Sequence, residues 1–385
     1  MKQLKYIIYS LWLATLAACD KGDMPVQHPD NYDWITFAVQ TRLVKSRASS
    51  YEAYDPTRHP NTMGVFGYYD MAQYSALTAT QATTVAQPNP IYDNATVTYD
   101  MDTQNWSETS RKRWDAYKGA ASFDFFAYMP RTEGTKVMRV AANTYTLSVP
   151  FTMPDAAPLL SDSRQAPIIC TLPEHKEGTT ANGDQFTFER VVKLRFDQTL
   201  TAYRLLFQLD GSMGAIRQFH IKSVTLSGNL AVGGTVSRTY TWDNGEWNAQ
   251  SIQWTVNRQA VKDAPIAYAN NSTDKDATAY DDKTQSITVT ADGYKQWGGT
   301  FYVIPDAQFR PTISVTYDVV LTAQDSTTVT TRKNVTSNIL LNTKNFDNLT
   351  IGSTATVNPI RILIQPRYLY VLADDDAYTG HLLID

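Results

Sequence analysis

The chain of 385 residues is long enough for two ordinary domains, each with its own hydrophobic core. It contains 34 basic and 38 acidic residues, a formal net charge of −4, and no cluster of basic residues. This mild acidity argues against nucleic acid as a partner. Two cysteines and five scattered histidines form no plausible zinc site, and nothing in the composition calls for a cofactor.

The first 18 residues have the features of a lipoprotein signal peptide. A start with two lysines precedes the uncharged apolar stretch Tyr6–Ala18, which is shorter than the roughly 20 residues of a spanning helix. The sequence Leu16–Cys19 resembles a lipobox, which predicts cleavage between Ala18 and Cys19 and a lipid on the Cys19 thiol. An ordinary secretory signal with a chance cysteine is the alternative. Residues 19–31 are polar and predict a lipidated tether.

Beyond the tether, alternation of apolar and polar residues predicts β-strands. In Trp34–Thr41, the side chains of Ile35, Phe37 and Val39 share one face, as in a half-buried strand. Further strands are predicted, in chain order, at Met63–Tyr69, Ala95–Tyr99, Ser122–Tyr128, Thr144–Val149, Phe186–Phe196, Tyr203–Leu209, His220–Leu226, Ser237–Trp242, Ser286–Thr290, Gly299–Ile304, Thr312–Ala323, Thr327–Leu341 and Pro359–Ala373. The strands Thr312–Ala323 and Thr327–Leu341 are predicted to pair as one long hairpin.

Helical periodicity is scarce. A short helix is predicted near Asn105–Tyr117, where Trp106 and Trp114 lie eight residues apart. The irregular stretch Gln259–Asp282 predicts a long surface loop. Many strands with little helix predict an all-β protein of β-sandwich architecture.

A proline-rich, acidic stretch between Pro154 and Gln185 predicts a domain boundary. We therefore divide the chain into an N-terminal β-sandwich domain at 32–180 and a C-terminal β-sandwich domain at 181–385. The three alternating apolar residues of Trp34–Thr41 are expected in the core of the first domain. Val192, Leu194 and Phe196 are expected in the core of the second.

No sequence motif for catalysis stands out, and we expect that the protein is not an enzyme. Asp281-Asp282 and Asp374–Asp376 offer carboxylates to calcium, but adjacent acids at a strand end are more often a solvated turn. We therefore expect no metal site. With Cys19 lipidated, Cys170 has no disulfide partner, and we expect it to be buried.

Three tryptophans, Trp242, Trp247 and Trp254, bracket one predicted hairpin. Exposed in a flat row, they would form a platform for sugar rings and favour a surface glycan-binding lipoprotein of a nutrient-uptake system. Buried between sheets, they would be ordinary sandwich core, which is the favoured reading.

Several segments match, in order and spacing, those of one bacterial family, although no single segment is specific. They are Trp34–Phe37, Met63–Tyr69, Lys112–Asp115 leading into Phe123–Pro130, Ala157–Leu160, Val192–Phe196, Ile221–Gly228 and Phe301–Pro305. Together they resemble the fimbrillin family, the lipoprotein-derived subunits of type V pili. The segment after Gly352 and the tail to Asp385 depart from the pattern, which leaves open whether the chain is a shaft, tip or anchor subunit.

The resemblance implies two tandem sandwiches of transthyretin-like, Greek-key type. It also implies a surface-exposed precursor anchored by lipid to the outer membrane, which becomes part of a fimbrium and contributes to adhesion. The implied partners are other fimbrial subunits, the membrane through the lipid anchor, and a host surface or glycan.

The resemblance further implies assembly by strand exchange after cleavage by an arginine-specific protease. The candidate cleavage residues are Arg42 and Arg47, and the removable strand carries Ile35, Phe37 and Val39. A strand of the next subunit, from residues 357–385, would fill the groove. Its candidate side chains are Ile360, Ile362 and Ile364. The alternative is that Pro359–Ile364 is a core strand of its own domain.

Overall fold

The structure is a computed structural model that describes residues 34–42, 51–70, 89–117, 119–141, 143–178, 189–212, 217–267, 286–322, 328–341, 357–366 and 380–384. The first eleven strands are β1 (Thr36–Arg42), β2 (Tyr51–Ala53), β3 (Thr62–Tyr69), β4 (Pro90–Asp100), β5 (Asn105–Glu108), β6 (Ser122–Met129), β7 (Lys136–Ala141), β8 (Thr144–Thr152), β9 (Ile168–Cys170), β10 (Glu174–Glu177) and β11 (Val191–Gln198). The others are β12 (Thr201–Leu209), β13 (Arg217–Asp243), β14 (Glu246–Ala249), β15 (Gln253–Pro265), β16 (Ile287–Val289), β17 (Lys295–Val303), β18 (Thr312–Thr322), β19 (Thr328–Leu340), β20 (Val357–Pro366) and β21 (Gly380–Ile384). The only helical elements among the described residues are three short 3-10 turns, so the all-β prediction is confirmed.

The first sheet is nearly closed on itself. Its nine strands follow the order β10-β6-β3-β4-β5-β1-β11-β9, with β2 beside β1. Strand β9 also pairs with β6, so the sheet curves back to one of its own early strands. Aromatic residues fill this interior, and the side chains of β6 are buried along its whole length. Large flat side chains suit such a curved, two-sided core because they cover much apolar surface.

Strand β13, 27 residues long, is the central strand of an eight-stranded sheet, and most of the other strands pair with it. One side of β13 pairs with β18 and then β8, and the other side pairs with β16, β15 and β14 in turn. Near its middle, Gly234 has a φ of +154°, and a Cβ atom there would overlap with the Thr255 carbonyl oxygen of β15. A glycine is needed at this close approach because any side chain would force the two strands apart.

The two ends of β13 enter two different cores. Val236 and Tyr240 pack with β7, β8 and the first sheet in the first core. Phe219 and Ile221 pack in the second core, which a four-stranded sheet of order β17-β12-β20-β21 covers. A small third cluster around Met153 and Leu160 lies apart from both cores. One continuous strand therefore contributes to both cores.

Some predictions differ from the structure. Residues Asn105–Glu108 form strand β5, not a helix, because Trp106 pairs across to Tyr99 and points into the core; only Trp114–Tyr117 makes a 3-10 turn. The predicted surface loop begins later than expected, since β15 continues to Pro265 along β13. The long hairpin of β18 and β19 is confirmed.

The burial of Val192, Leu194 and Phe196 is confirmed, but they pack in the first core, not in a second one. The reason is the parallel pairing of β11 with β1, which turns the alternating face of β11 toward the same interior. Residues beyond the predicted boundary at 180 thus complete the first sheet. The division into two tandem domains stays a prediction.

Candidate functional site

Strand β1, the candidate removable strand, lies inside the first sheet. On one side it pairs in parallel with β11, from Thr36 opposite Val191 to Thr41 opposite Phe196. On the other side its last residues pair with β2, and Phe37 pairs with Trp106 of β5. Because both sides carry hydrogen-bonded neighbours, β1 is not an edge strand.

The inward face of β1 closes the first core. Ile35, Phe37 and Val39 are only 5%, 8% and 7% exposed, which confirms their predicted burial. The Phe37 ring lies 5.9 Å from that of Tyr92 and 6.5 Å edge-on from that of Phe125. Burying each large apolar side chain contributes about 1.5–3 kcal/mol to stability, so this strand matters to the fold that contains it.

Arg42, at the end of β1, is tied to the neighbouring strands. Its Nε lies 3.3 Å from Oδ1 of Asp197, and its Nη2 donates to the Tyr51 hydroxyl at 2.9 Å. Tyr51 in turn donates to Asp197 at 2.9 Å and lies 2.7 Å from the Thr171 hydroxyl. Asp197 also accepts a 2.7 Å hydrogen bond from Arg238 of β13. The guanidinium of Arg42 is therefore part of a network that joins four strands and the turn after β9.

The network contains two positive charges and one negative charge, because two arginines share the carboxylate of Asp197. Burial disfavours the charged form of Arg238, but the hydrogen bond and charge of Asp197 outweigh it and raise the pKa of Arg238. Asp197 therefore holds two cations, and its removal would leave both without their carboxylate.

The remaining predicted processing residues, Ala18, Cys19 and Arg47, lie outside the described residues, as do the acidic runs considered for calcium. Among the described residues no helix is long and apolar enough to cross a membrane. The signal, tether and lipid anchor stay predictions.

The candidate donor residues lie in β20, inside the second core. Ile360, Ile362 and Ile364 are 2%, 0% and 0% exposed. Strand β20 pairs in parallel with β12, from Val357 opposite Ala202 to Ile364 opposite Leu209. Its other side pairs in parallel with β21. In this structure the segment is thus a core strand of its own chain, which is the alternative stated for it.

The three tryptophans do not form a flat exposed row. Trp247 is buried and Trp242 is half-buried beside it, with ring centroids 5.3 Å apart. Trp254 is half-buried elsewhere, donating its indole N–H to the Thr199 carbonyl at 2.9 Å. This arrangement is not the flat sugar platform that the glycan-uptake alternative requires.

Sequence reasoning did not find the Asp197 network. Asp197, Arg238 and Tyr51 lie on three strands far apart in the sequence, and a single charged residue at a strand end carries no local signal. Burial of Cys170 was expected and is confirmed; its thiol lies 3.2 Å from the Tyr240 hydroxyl.

No family model and no curated protein matches the chain. Among solved structures, it is similar to a fimbrial protein from Bacteroides vulgatus, with 15% identity and a TM-score of 0.45, covering 85% of this chain and 95% of that one. A candidate cell adhesion protein from Bacteroides ovatus has 13% identity and a TM-score of 0.33, covering 87% and 93%. Another from Bacteroides uniformis has 12% identity and a TM-score of 0.31, covering 78% and 90%. Identities and scores this low carry no functional argument.

Proposed function

We propose that the chain is a structural or accessory subunit of a cell-surface fimbria, assembled by protease-triggered strand exchange and contributing to adhesion. It acts as a building block and not as an enzyme. One observation carries the proposal: β1, the first strand of the described residues, is an interior strand of its sheet, with hydrogen-bonded neighbours on both sides.

Excision of β1 would leave a groove whose unpaired backbone and exposed apolar residues favour the binding of a new strand. Strand β11 on one side and β2 and β5 on the other would each lose hydrogen-bonding partners. The pockets of Ile35, Phe37 and Val39 would be open to water. A strand from another copy, with apolar residues at alternate positions, would restore both the backbone hydrogen bonds and the apolar contacts.

Of the two candidate arginines, we propose Arg47 as the cleavage site, because the described structure disfavours cleavage after Arg42. A protease needs a stretch of unpaired backbone, whereas the backbone of Arg42 is paired with Tyr51 of β2 and its side chain is tied to Asp197. Cutting after Arg42 would require β1 to separate from β2 first. Arg47 lies five residues beyond the end of this paired segment.

The C-terminal segment 357–385 is the proposed donor, and its outer strand is the first to be available. Strand β21 is the last strand of the four-stranded sheet among the described residues, so it can separate by breaking one ladder. Strand β20 has neighbours on both sides, and its release would also expose Ile360, Ile362 and Ile364. We therefore propose β21 as the leading part of the donor, with β20 following only if its own core opens.

The precursor is proposed to reach the outer membrane through the lipid on Cys19, with its folded part exposed at the cell surface. Its partners are other fimbrial subunits, and an adhesive contact with a host surface or glycan follows from the same role. Fatty-acid analogue labelling tests the anchor: Cys19→Ala should carry no label, and undiminished label would contradict the lipobox.

Cleavage is tested by treating the purified chain with an arginine-specific protease and following filaments by electron microscopy. The expected product begins at Ala48 and assembles, because the removed strand leaves the groove open. Arg47→Lys should resist cleavage and stay monomeric, while the matched control Arg42→Lys should be cut and assemble like the parent. Equal assembly by the Arg47→Lys, Arg42→Lys double variant would show that cleavage at these sites is not required.

The donor is tested with a chain that ends at residue 379 and lacks β21. It should keep the cooperative unfolding of the parent and be cleaved normally, yet form no filaments. Filaments from this chain would exclude β21 and leave β20 as the candidate.

A further inference from the structure

A cavity of about 210 Å³ opens at the end of the first core, between the first sheet and the eight-stranded sheet. It lies away from β1, β20 and β21, and no part of the strand-exchange proposal uses it. Pockets for drug-sized ligands occupy roughly 300–1,000 Å³, so this one suits a smaller guest.

The two walls of the cavity differ in chemistry. The wall from the eight-stranded sheet is aromatic, with Tyr145 of β8, Trp242 of β13 and Trp247 of β14. The Trp247 ring lies 5.9 Å from that of Tyr145 and 5.3 Å from that of Trp242, so the three rings form one apolar surface. Half-exposure of Trp242 gives a guest access to this surface.

The polar part of the lining comes from β6 and β10 and adjoins the aromatic wall. Asp124, only 3% exposed, accepts a 2.8 Å hydrogen bond from the Trp247 indole and lies 2.7 Å from Nδ1 of His175 through the same oxygen, Oδ1. His175 Nε2 lies 3.3 Å from Glu177, whose side chain is 83% exposed at the rim. The imidazole ring of His175 also packs against Trp242, with centroids 4.2 Å apart.

These bonds fix the polar groups and leave hydrogen-bonding capacity for a guest. Oδ2 of Asp124 makes no hydrogen bond to the described part of the chain, and the side chains of Ser122 and Asn143 complete the lining. Burial opposes protonation of His175, but Asp124 and then Glu177 outweigh it and raise the pKa of His175. Two carboxylates and one imidazole leave the cavity with a residual negative charge whether or not His175 is protonated.

We propose that this cavity binds one neutral hexopyranose unit of a glycan. A pyranose ring has an apolar C–H face and a rim of hydroxyl groups, which matches an aromatic surface bordered by fixed carboxylate, hydroxyl and amide groups. The residual negative charge disfavours acidic sugars. A small organic cation is the competing guest, because the same negative charge attracts it, but it lacks the rim of hydroxyl groups that the polar residues of the lining can meet.

The proposal is tested by isothermal titration calorimetry of the full chain at pH 7. The probes are the methyl glycosides of glucose, galactose, mannose and N-acetylglucosamine, with glucuronic acid and tetramethylammonium for comparison. We expect saturable binding of at least one neutral glycoside, and weaker binding of glucuronic acid. Trp242→Ala should weaken binding about tenfold or more, because the half-exposed ring carries the stacking contact.

Trp254→Ala is the matched control, since Trp254 is also half-buried but does not line the cavity. The affinity of this variant for the glycoside should equal that of the parent. Glu177→Gln keeps the shape of the rim and should narrow the preference for neutral over acidic sugars. No saturable binding of any neutral glycoside, unchanged binding in Trp242→Ala, or tighter binding of tetramethylammonium would each overturn the proposal. None of these outcomes bears on strand exchange, because the cavity and β1 are separate.

Discussion

Strands β1 and β20 have the same alternation of apolar and polar residues, but their positions within their sheets differ. Strand β20 carries three apolar residues at alternate positions, and β1 carries two, Phe37 and Val39, with Ile35 continuing the alternation just before it. Each pairs in parallel with one of two consecutive strands, β11 and β12. Strand β1 is enclosed by a sheet that returns to itself, and its end is anchored by Arg42. Among the described residues, the five-residue β21 is the one strand between β20 and the end of its sheet.

In the proposed mechanism, the ease of release, and not the apolar pattern, distinguishes the removed strand from the donor strand. Strand β1 cannot leave sideways without breaking ladders on both sides, so a cut in the chain is the natural way to remove it. The C-terminal strands can detach from one side, beginning with β21. The same alternating sequence therefore suits two opposite roles.

The largest effect is expected from removing a core side chain of each strand. Phe37→Ala should lower the free energy of unfolding of the intact chain by about 3–5 kcal/mol, and Ile362→Ala by about 2–5 kcal/mol. After cleavage and loss of β1, only Ile362→Ala should still destabilise the monomer. Urea unfolding of intact and protease-treated chains measures both. The outward-facing control Thr36→Ala should cost less than about 1 kcal/mol. A persistent effect of Phe37→Ala after cleavage would mean that β1 is not removed.

The second largest effect is a loss of stability of the first core at acid pH, caused by a buried histidine. His59 is 2% exposed, and neither ring nitrogen has a hydrogen-bond partner in the described structure. Burial lowers its pKa to about 4, despite the opposing charge of Asp55. The unfolded chain therefore binds more protons between about pH 6.5 and 4, and stability falls as the pH drops through that window, by about 3 kcal/mol.

Urea unfolding at pH 7 and at pH 4.5 measures this loss, which His59→Phe should remove. At pH 7, where His59 is neutral, the variant should be close to the parent in stability. At acid pH, the protection of backbone amides against hydrogen exchange should fall in β4 and β5, near Tyr54 and Tyr99, before it falls in β12. Equal acid loss in His59→Phe would place the sensitivity elsewhere.

The smallest expected effect concerns the anchor of β1. Asp197→Asn keeps the shape but removes the carboxylate that Arg42 and Arg238 share, at a cost of about 1–2 kcal/mol. Cleavage after Arg42 should then become detectable by mass spectrometry, because the end of β1 is freed. The matched control Asp306→Asn removes the partner of Arg258 in β15 and should leave cleavage near β1 unchanged. Slow cleavage after Arg42 in both variants would show that backbone pairing alone protects it.

Much of the local structure was readable from the sequence. Alternation predicted the strand of Ile35, Phe37 and Val39 and the β18–β19 hairpin, since a period of two needs no knowledge of the partner strand. The prediction of a helix near Trp106 was wrong. Two tryptophans eight residues apart are compatible with a helix, but equally with a strand that is followed by a turn. Nothing local distinguishes these, and the pairing of Trp106 with Tyr99 decides it.

The sequence by itself determined the β class and the inward faces of β1 and β20, and it predicts a lipid anchor at Cys19. These follow from short-range patterns of side-chain chemistry. The tertiary structure alone decided that β11 completes the first core, that β13 serves both cores, and that Asp197 holds Arg42. Such features depend on which strands meet across 100 residues or more, and pairing between distant strands is set by the packing of the whole chain and not by any local segment.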